Sequence, residues 1–206
     1  MNRTYNFYGW EKADVAPADE AYSLIRNPRD LYDILSEIWC SETCAPRMRD
    51  EWTKENKTLG QCSITAFLAQ DIFGGKVYGI EREGGNFHCY NVVGDCVFDL
   101  TSEQFGDEEL SYEDNPEQQR EVHFAKEEKH ERYKYLKAEL EKKLNKIKLL
   151  SFVDAAAKGS IEAAEKLALA YYSGEYGDKN PAKAKKWASY AAKHGSKKAE
   201  ELLTKL

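Results

Sequence analysis

Cys62 follows Gly60-Gln61 and opens the stretch QCSITAFLAQDIF, in which Ile64, Phe67, Leu68 and Ile72 recur at helical spacing. A cysteine in the first turn of a helix sits among backbone N–H groups without intrahelical acceptors. Those groups and the helix dipole favour the thiolate, the nucleophilic form. The same N–H groups are natural donors to a developing oxyanion. Downstream, NFHCYNVV and DCVFDLT alternate with period two around a turn at Val93-Gly94-Asp95, and read as a β-hairpin carrying His88 and Asp99. A two-residue loop at Val93-Gly94 pairs position 88 directly with 99. A turn centre shifted by one residue makes them diagonal neighbours on the same face. Under either register the Asp side chain can orient the imidazole.

A helix-borne cysteine packed against an antiparallel sheet that carries His and then Asp follows the logic of a papain-type triad. Cys62 would attack a carbonyl, His88 would shuttle the proton, and Asp99 would hold the ring. Gln61 and Asn56 are candidates for the side-chain oxyanion donor, and Trp52, with Trp39, Phe87 and Tyr90, for the lining of a substrate cleft. Free cysteines are commonly small buried hydrophobes, and Cys96 fits that description on its strand. Zinc is the competing chemistry for Cys40, Cys44, Cys89 and Cys96. Their spacing lacks the Cys-x-x-Cys knuckle, so neither metal nor cofactor is expected.

Several elements must position these residues. Composition shifts twice along the chain. Residues 1–115 hold all five cysteines and most of the Trp and Phe, and read as an α+β domain. KVYGIE supplies a third strand before the hairpin, and Gly74-Gly75 end the cysteine helix. Residues 116–150 are rich in Glu, Lys, Arg and Gln and read as a charged helical connector, with one apolar stripe at Tyr133, Leu136, Leu140, Leu144 and Ile147. Residues 151–206 are rich in Ala and Lys and contain an internal repeat. AAAKGSIEAAEKL and AAKHGSKKAEELL align with Gly159 over Gly195 and Ser160 over Ser196, an offset of 36 residues. One such unit cannot bury its apolar face alone, so it must dock on the connector helix or on another chain.

A formal net charge of -6 argues against nucleic acid as a partner. The N-terminus is not a signal peptide, and no apolar run suggests a membrane span. These features, with an odd number of cysteines, point to the reducing cytoplasm.

Two resemblances sharpen the reading. From Trp39 to Phe105 the chain resembles the bacterial YunG-like family, through Glu42-Thr43-Cys44, Trp52, Asn56, Gly60-Gln61-Cys62, Thr65-Ala66, Gln70-Asp71, Gly74-Gly75, His88, Asn91, Asp99-Leu100-Thr101 and Gln104-Phe105. Arg132-Tyr133 and Leu136-Lys137 extend it, and Cys89 departs from the aromatic expected after His88. The resemblance implies a papain-like fold with a Cys–His–Asp site and names no substrate. The C-terminal part, with Tyr171, Tyr172, Gly174, Gly177, Asp178, Lys183, Ala184 and Trp187, resembles a Sel1-like repeat. That implies an all-α module taking a protein or peptide partner. The expected function is a cysteine-dependent hydrolase or acyltransferase. A non-catalytic protein-binding module on the same scaffold is the alternative.

Overall fold

The computed structural model describes residues 4–206, which divide into two compact units, 4–140 and 141–206. In the first, helix α1 (Pro28–Ile38) is started by the Asn27 side chain, which accepts the Asp30 N–H, with Pro28 in the first turn. Helix α2 (Cys62–Phe73) ends at Gly74, where φ is 74°. Strands β1 (Lys76–Arg82), β2 (Asn86–Val93) and β3 (Cys96–Phe98) form one antiparallel sheet in the order β1-β2-β3. The fold of this unit is α+β.

The core lies between α2 and the sheet. Ile64, Phe67, Leu68 and Ile72 are fully buried on one side, and Val77, Tyr90 and Phe98 on the other. Burying such a side chain contributes roughly 1.5–3 kcal/mol, so the helix has little freedom to shift along the sheet. Two polar ties fix its register. The buried Asn91 amide on β2 donates to the Ala66 carbonyl at 2.8 Å, and the Trp39 indole N–H donates to Thr65 Oγ1 at 3.1 Å.

Helix α3 (Arg120–Phe124) and the start of helix α4 (Glu127–Ala157) complete this unit. Asp71 near the end of α2 accepts from Arg120, from Tyr133 and from Lys137. Arg132, itself buried, donates to the carbonyls of Thr43 and Gly60 at 3.2 and 3.3 Å. At Gly60 φ is 67°, and a Cβ there would meet Cys44 Sγ at 2.7 Å, so the turn before the thiol requires glycine.

The stretch read as a connector is thus shared. Tyr133, Leu136 and Leu140 are buried in the first unit, and α4 continues past residue 150 into the second. There its Leu149, Phe152, Val153 and Ala156 pack with helices α5 (Ile161–Ser173), α6 (Pro181–Lys193) and α7 (Lys197–Leu203). Leu144 and Ile147 of the same apolar stripe also fall in the second unit. Ala164, Ala168, Ala184, Ala188 and Ala191 are fully buried, and these small side chains let the helix backbones approach closely.

The internal repeat has a matching local geometry. Gly159 and Gly195 adopt φ of 94° and 92°. The Ser160 N–H donates to Ala155 O at 3.0 Å, and the Ser196 N–H to Ala191 O at 3.0 Å, each closing a Schellman turn. Each serine hydroxyl then caps the following helix, accepting from Ala163 N and Ala199 N at 3.2 and 3.0 Å. Among the described residues no helix is long and apolar enough to cross a membrane.

Candidate active site

Cys62 opens α2, and the side chain of Gln61 before it makes no cap on the helix start. The first-turn N–H groups are therefore left without a side-chain acceptor. His88 stands on β2 and Asp99 just beyond β3. The register is Val93↔Cys96, Val92↔Val97 and Asn91↔Phe98, with Gly94-Asp95 as the loop. Carried on one residue, this places Asp99 opposite Tyr90, so His88 and Asp99 are diagonal. Asp99 no longer pairs within the sheet; its N–H donates to Tyr8 O at 3.1 Å, which secures it to the N-terminal segment.

His88 Nε2 lies 2.5 Å from Asp99 Oδ2, with both side chains almost fully buried. The carboxylate is held in turn. Oδ1 accepts from the Thr101 N–H at 3.0 Å and from its hydroxyl at 3.1 Å, and Oδ2 accepts from Tyr112 Oη at 2.9 Å. Phe105 packs edge-on against the imidazole with ring centroids 4.6 Å apart, which fixes its plane. His88 Nδ1 is buried without a hydrogen-bond partner, and the Cys62 thiol is close enough to interact electrostatically with the ring.

The electrostatics follow from this geometry. Burial disfavours a charged His88, but the Asp99 carboxylate and the Cys62 sulfur outweigh it and push the imidazole up to about 10. Burial likewise pushes the Cys62 thiol up, yet His88 and the Cys89 backbone N–H bring it below the ordinary thiol range. Both shifts favour a thiolate–imidazolium pair. Burial alone dominates at Cys89, Cys44 and Cys96, whose thiols are pushed up. Tyr112 is also pushed up, by burial and by Asp99, so it remains a hydrogen-bond donor.

Cys62 and His88 open onto a cleft of about 910 Å³, lined also by Phe87, Met48, Gln104 and the α4 residues Glu128, Lys129 and Arg132. The other sequence candidates lie elsewhere. Gln61 is fully buried and its amide donates to Cys40 O at 3.1 Å. Asn56 sits in a turn, its N–H donating to Thr53 Oγ1 at 3.2 Å, and the Trp52 indole donates to Lys57 O at 3.0 Å. None of the three is part of the cleft lining, nor are the buried Trp39 and Tyr90. Sequence reasoning did not single out Tyr112, nor Phe105 as the ring against His88. Tyr112 lies in an acidic, aperiodic segment that gives no signal. Phe105 was visible only as the last residue of a motif. Among the described residues no three His, Cys, Asp or Glu side chains converge to hold a metal ion.

Comparison with known proteins bears on the same segment. Residues 27–145 match the family described as YunG protein. The "Uncharacterized protein YunG" of Bacillus subtilis (strain 168) is 32% identical over 114 residues, which is 55% of this chain and 91% of that protein. No solved structure matches the chain. The matched segment contains Cys62, His88, Asp99 and the Arg132 clamp, and on that ground the chain belongs to the YunG family.

Proposed function

We propose that this protein is a papain-like thiol hydrolase or acyltransferase that acts on an amide or ester through Cys62, His88 and Asp99. The observation that carries the reading is the division of labour on the His88 ring. Nε2 is committed to a buried carboxylate, Nδ1 is buried with no hydrogen-bond partner, and the ring's charge lowers the Cys62 thiol beside it. The Cys62 thiolate attacks the carbonyl carbon, and the oxyanion is received by the uncapped N–H groups of the first turn of α2. The imidazolium then gives its proton to the departing amine or alcohol as the tetrahedral intermediate collapses to a thioester. Water, or a second nucleophile, gives a proton to neutral His88 while attacking the thioester. The acyl group leaves, and the thiolate–imidazolium pair is restored. Asp99 touches no substrate; it is a positioning residue that keeps the ring oriented and charged. The cycle needs a reduced thiol, which suits the cytoplasm.

A p-nitrophenyl ester tests the reading. Wild type should release a burst of nitrophenol and carry one acyl group on Cys62, seen as a mass shift; Cys62→Ala should do neither. No burst from a folded wild type whose Cys62 is reactive would favour the non-catalytic alternative.

The second unit supports a separate role as a Sel1-like docking module for a protein or peptide. What supports it is the duplicated glycine–serine turn 36 residues apart, together with Leu169 and Tyr172 of α5, left 46% and 40% exposed. Pull-down with residues Leu169 and Tyr172 both changed to Ser should lose a partner that wild type retains; an unchanged set of partners would remove this face from the proposal.

A further inference from the structure

The α4 side of the cleft is cationic. Lys126, Lys129 and Arg132 line it there, with Arg47 and Arg82 elsewhere on its wall, against Glu81, Glu83 and Glu128. Two of these cations are committed. Arg82 forms a two-pronged pair with Glu108 at 2.7 and 2.9 Å. Arg132 holds Glu128 at 3.1 Å as well as the Thr43 and Gly60 carbonyls. Lys129 differs from both. Its side chain is only partly exposed, and its ammonium reaches His123 Nδ1 at 3.4 Å. His123 is packed against the rings of Phe67 and Phe124, and its Nε2 is buried without a partner. Burial, with the charges of Lys129 and Arg132, keeps that ring neutral, so it offers Lys129 no counter-charge. The carboxylate nearest in effect is Glu128, which Arg132 already holds. Lys129 shares the cleft wall with Cys62, His88 and Cys89.

We propose that Lys129 is the specificity-determining residue of this cleft, and that it binds a carboxylate carried by the substrate beside the reactive acyl group. This rests on the thiol-enzyme reading above and names its substrate class: acyl compounds bearing a nearby carboxylate, such as acidic peptides or amino-acid amides. Lys126 and Arg47 also line the cleft without an ion pair, but both are exposed, so Lys129 is the half-buried cation left to meet one carboxylate.

The test compares two alkylating probes, anionic iodoacetate and neutral iodoacetamide, on Cys62 in wild type and Lys129→Gln, read by mass spectrometry. Both probes report the same thiolate population, so their rate ratio cancels any shift in the thiol and isolates attraction of the anion. The ratio should fall about three- to tenfold in Lys129→Gln at low ionic strength, and the difference should shrink in salt. An unchanged ratio with Cys62 still reacting fast overturns the carboxylate subsite and leaves the nucleophile standing. Slow reaction of wild-type Cys62 with both probes defeats the nucleophile reading, and the subsite with it. The iodoacetamide rate of Lys129→Gln, together with its far-UV circular dichroism, shows that the variant site is intact.

Discussion

Replacing His88 by Ala removes the group that outweighs burial at Cys62. In the wild type, burial raises the thiol, while the hydrogen bond and charge of His88 and the Cys89 N–H lower it. Without the ring, burial is opposed only by one backbone donor, and Cys62 returns at least to ordinary thiol behaviour. An ordinary thiol with a pKa of about 8.5 is roughly 1% thiolate at pH 6.5, so the reactive population falls by up to about 100-fold. A more basic thiolate is also the better nucleophile, with a Brønsted coefficient of about 0.4–0.5, which returns part of that loss. The net expectation is a fall of about 10- to 100-fold in the iodoacetamide rate at pH 6.5, closing towards parity above pH 9. Peptide mass spectrometry, following each cysteine from pH 5 to 10, measures it. Amide turnover should differ from alkylation at the alkaline end. It needs the imidazolium as acid, so it declines as His88 deprotonates near 10, while alkylation does not. The reasoning is refuted if Cys62 alkylates at the same rate with and without His88 at pH 6.5.

Tyr112→Phe removes one donor to the buried Asp99 carboxylate and should cost about 1.5–3 kcal/mol in urea unfolding, with the Cys62 profile nearly unmoved. Asp99→Asn should move the acid limb of Cys62 alkylation towards higher pH, because His88 loses the charge that outweighs its burial; an unmoved limb would remove Asp99 from its positioning role. His123 is held down at about 3 against an ordinary imidazole value of about 6.5, so the folded state binds fewer protons than the unfolded state between the two. Its contribution to stability is therefore lost as pH falls through that window, and His123→Leu should flatten the acid side of a melting-temperature profile. Ser160→Ala and Ser196→Ala should each lower stability by about 1 kcal/mol, since each removes the same cap from the same kind of turn. A clear inequality between them, by urea unfolding followed at Trp187, would show that the two turns are not equivalent.

Parts of this arrangement are legible in the sequence because they are local. Helical spacing and the Gly60 and Gly74 punctuation bracket α2, so the position of Cys62 at its start can be read directly. The alternation around Val93–Asp95 gives the hairpin, while the register needed the structure, because a one-residue shift of the turn leaves the pattern of apolar residues acceptable. What lay out of reach depends on contacts between distant segments. Tyr112 reaches Asp99 from an irregular acidic loop, and Tyr8 takes the Asp99 N–H from the far end of the chain. Gln61 precedes the thiol in sequence, yet its amide turns to Cys40, because the αR backbone at the helix start points that side chain inward. The length of α4 was hidden for a different reason: no glycine or proline marks residue 150, and composition changes there without any change in helical preference.

The duplicated turn has an evolutionary consequence. Each copy is closed by its own residues, with a glycine in the left-handed region, a serine N–H back to the preceding helix, and the serine hydroxyl forward to the next. Cutting the gene at the two glycine codons would yield two breakpoints with interchangeable backbone geometry. Unequal recombination between them could add or delete one whole period without breaking a local hydrogen bond. The number of periods could then change while the residues of the Cys62 cleft stay as they are.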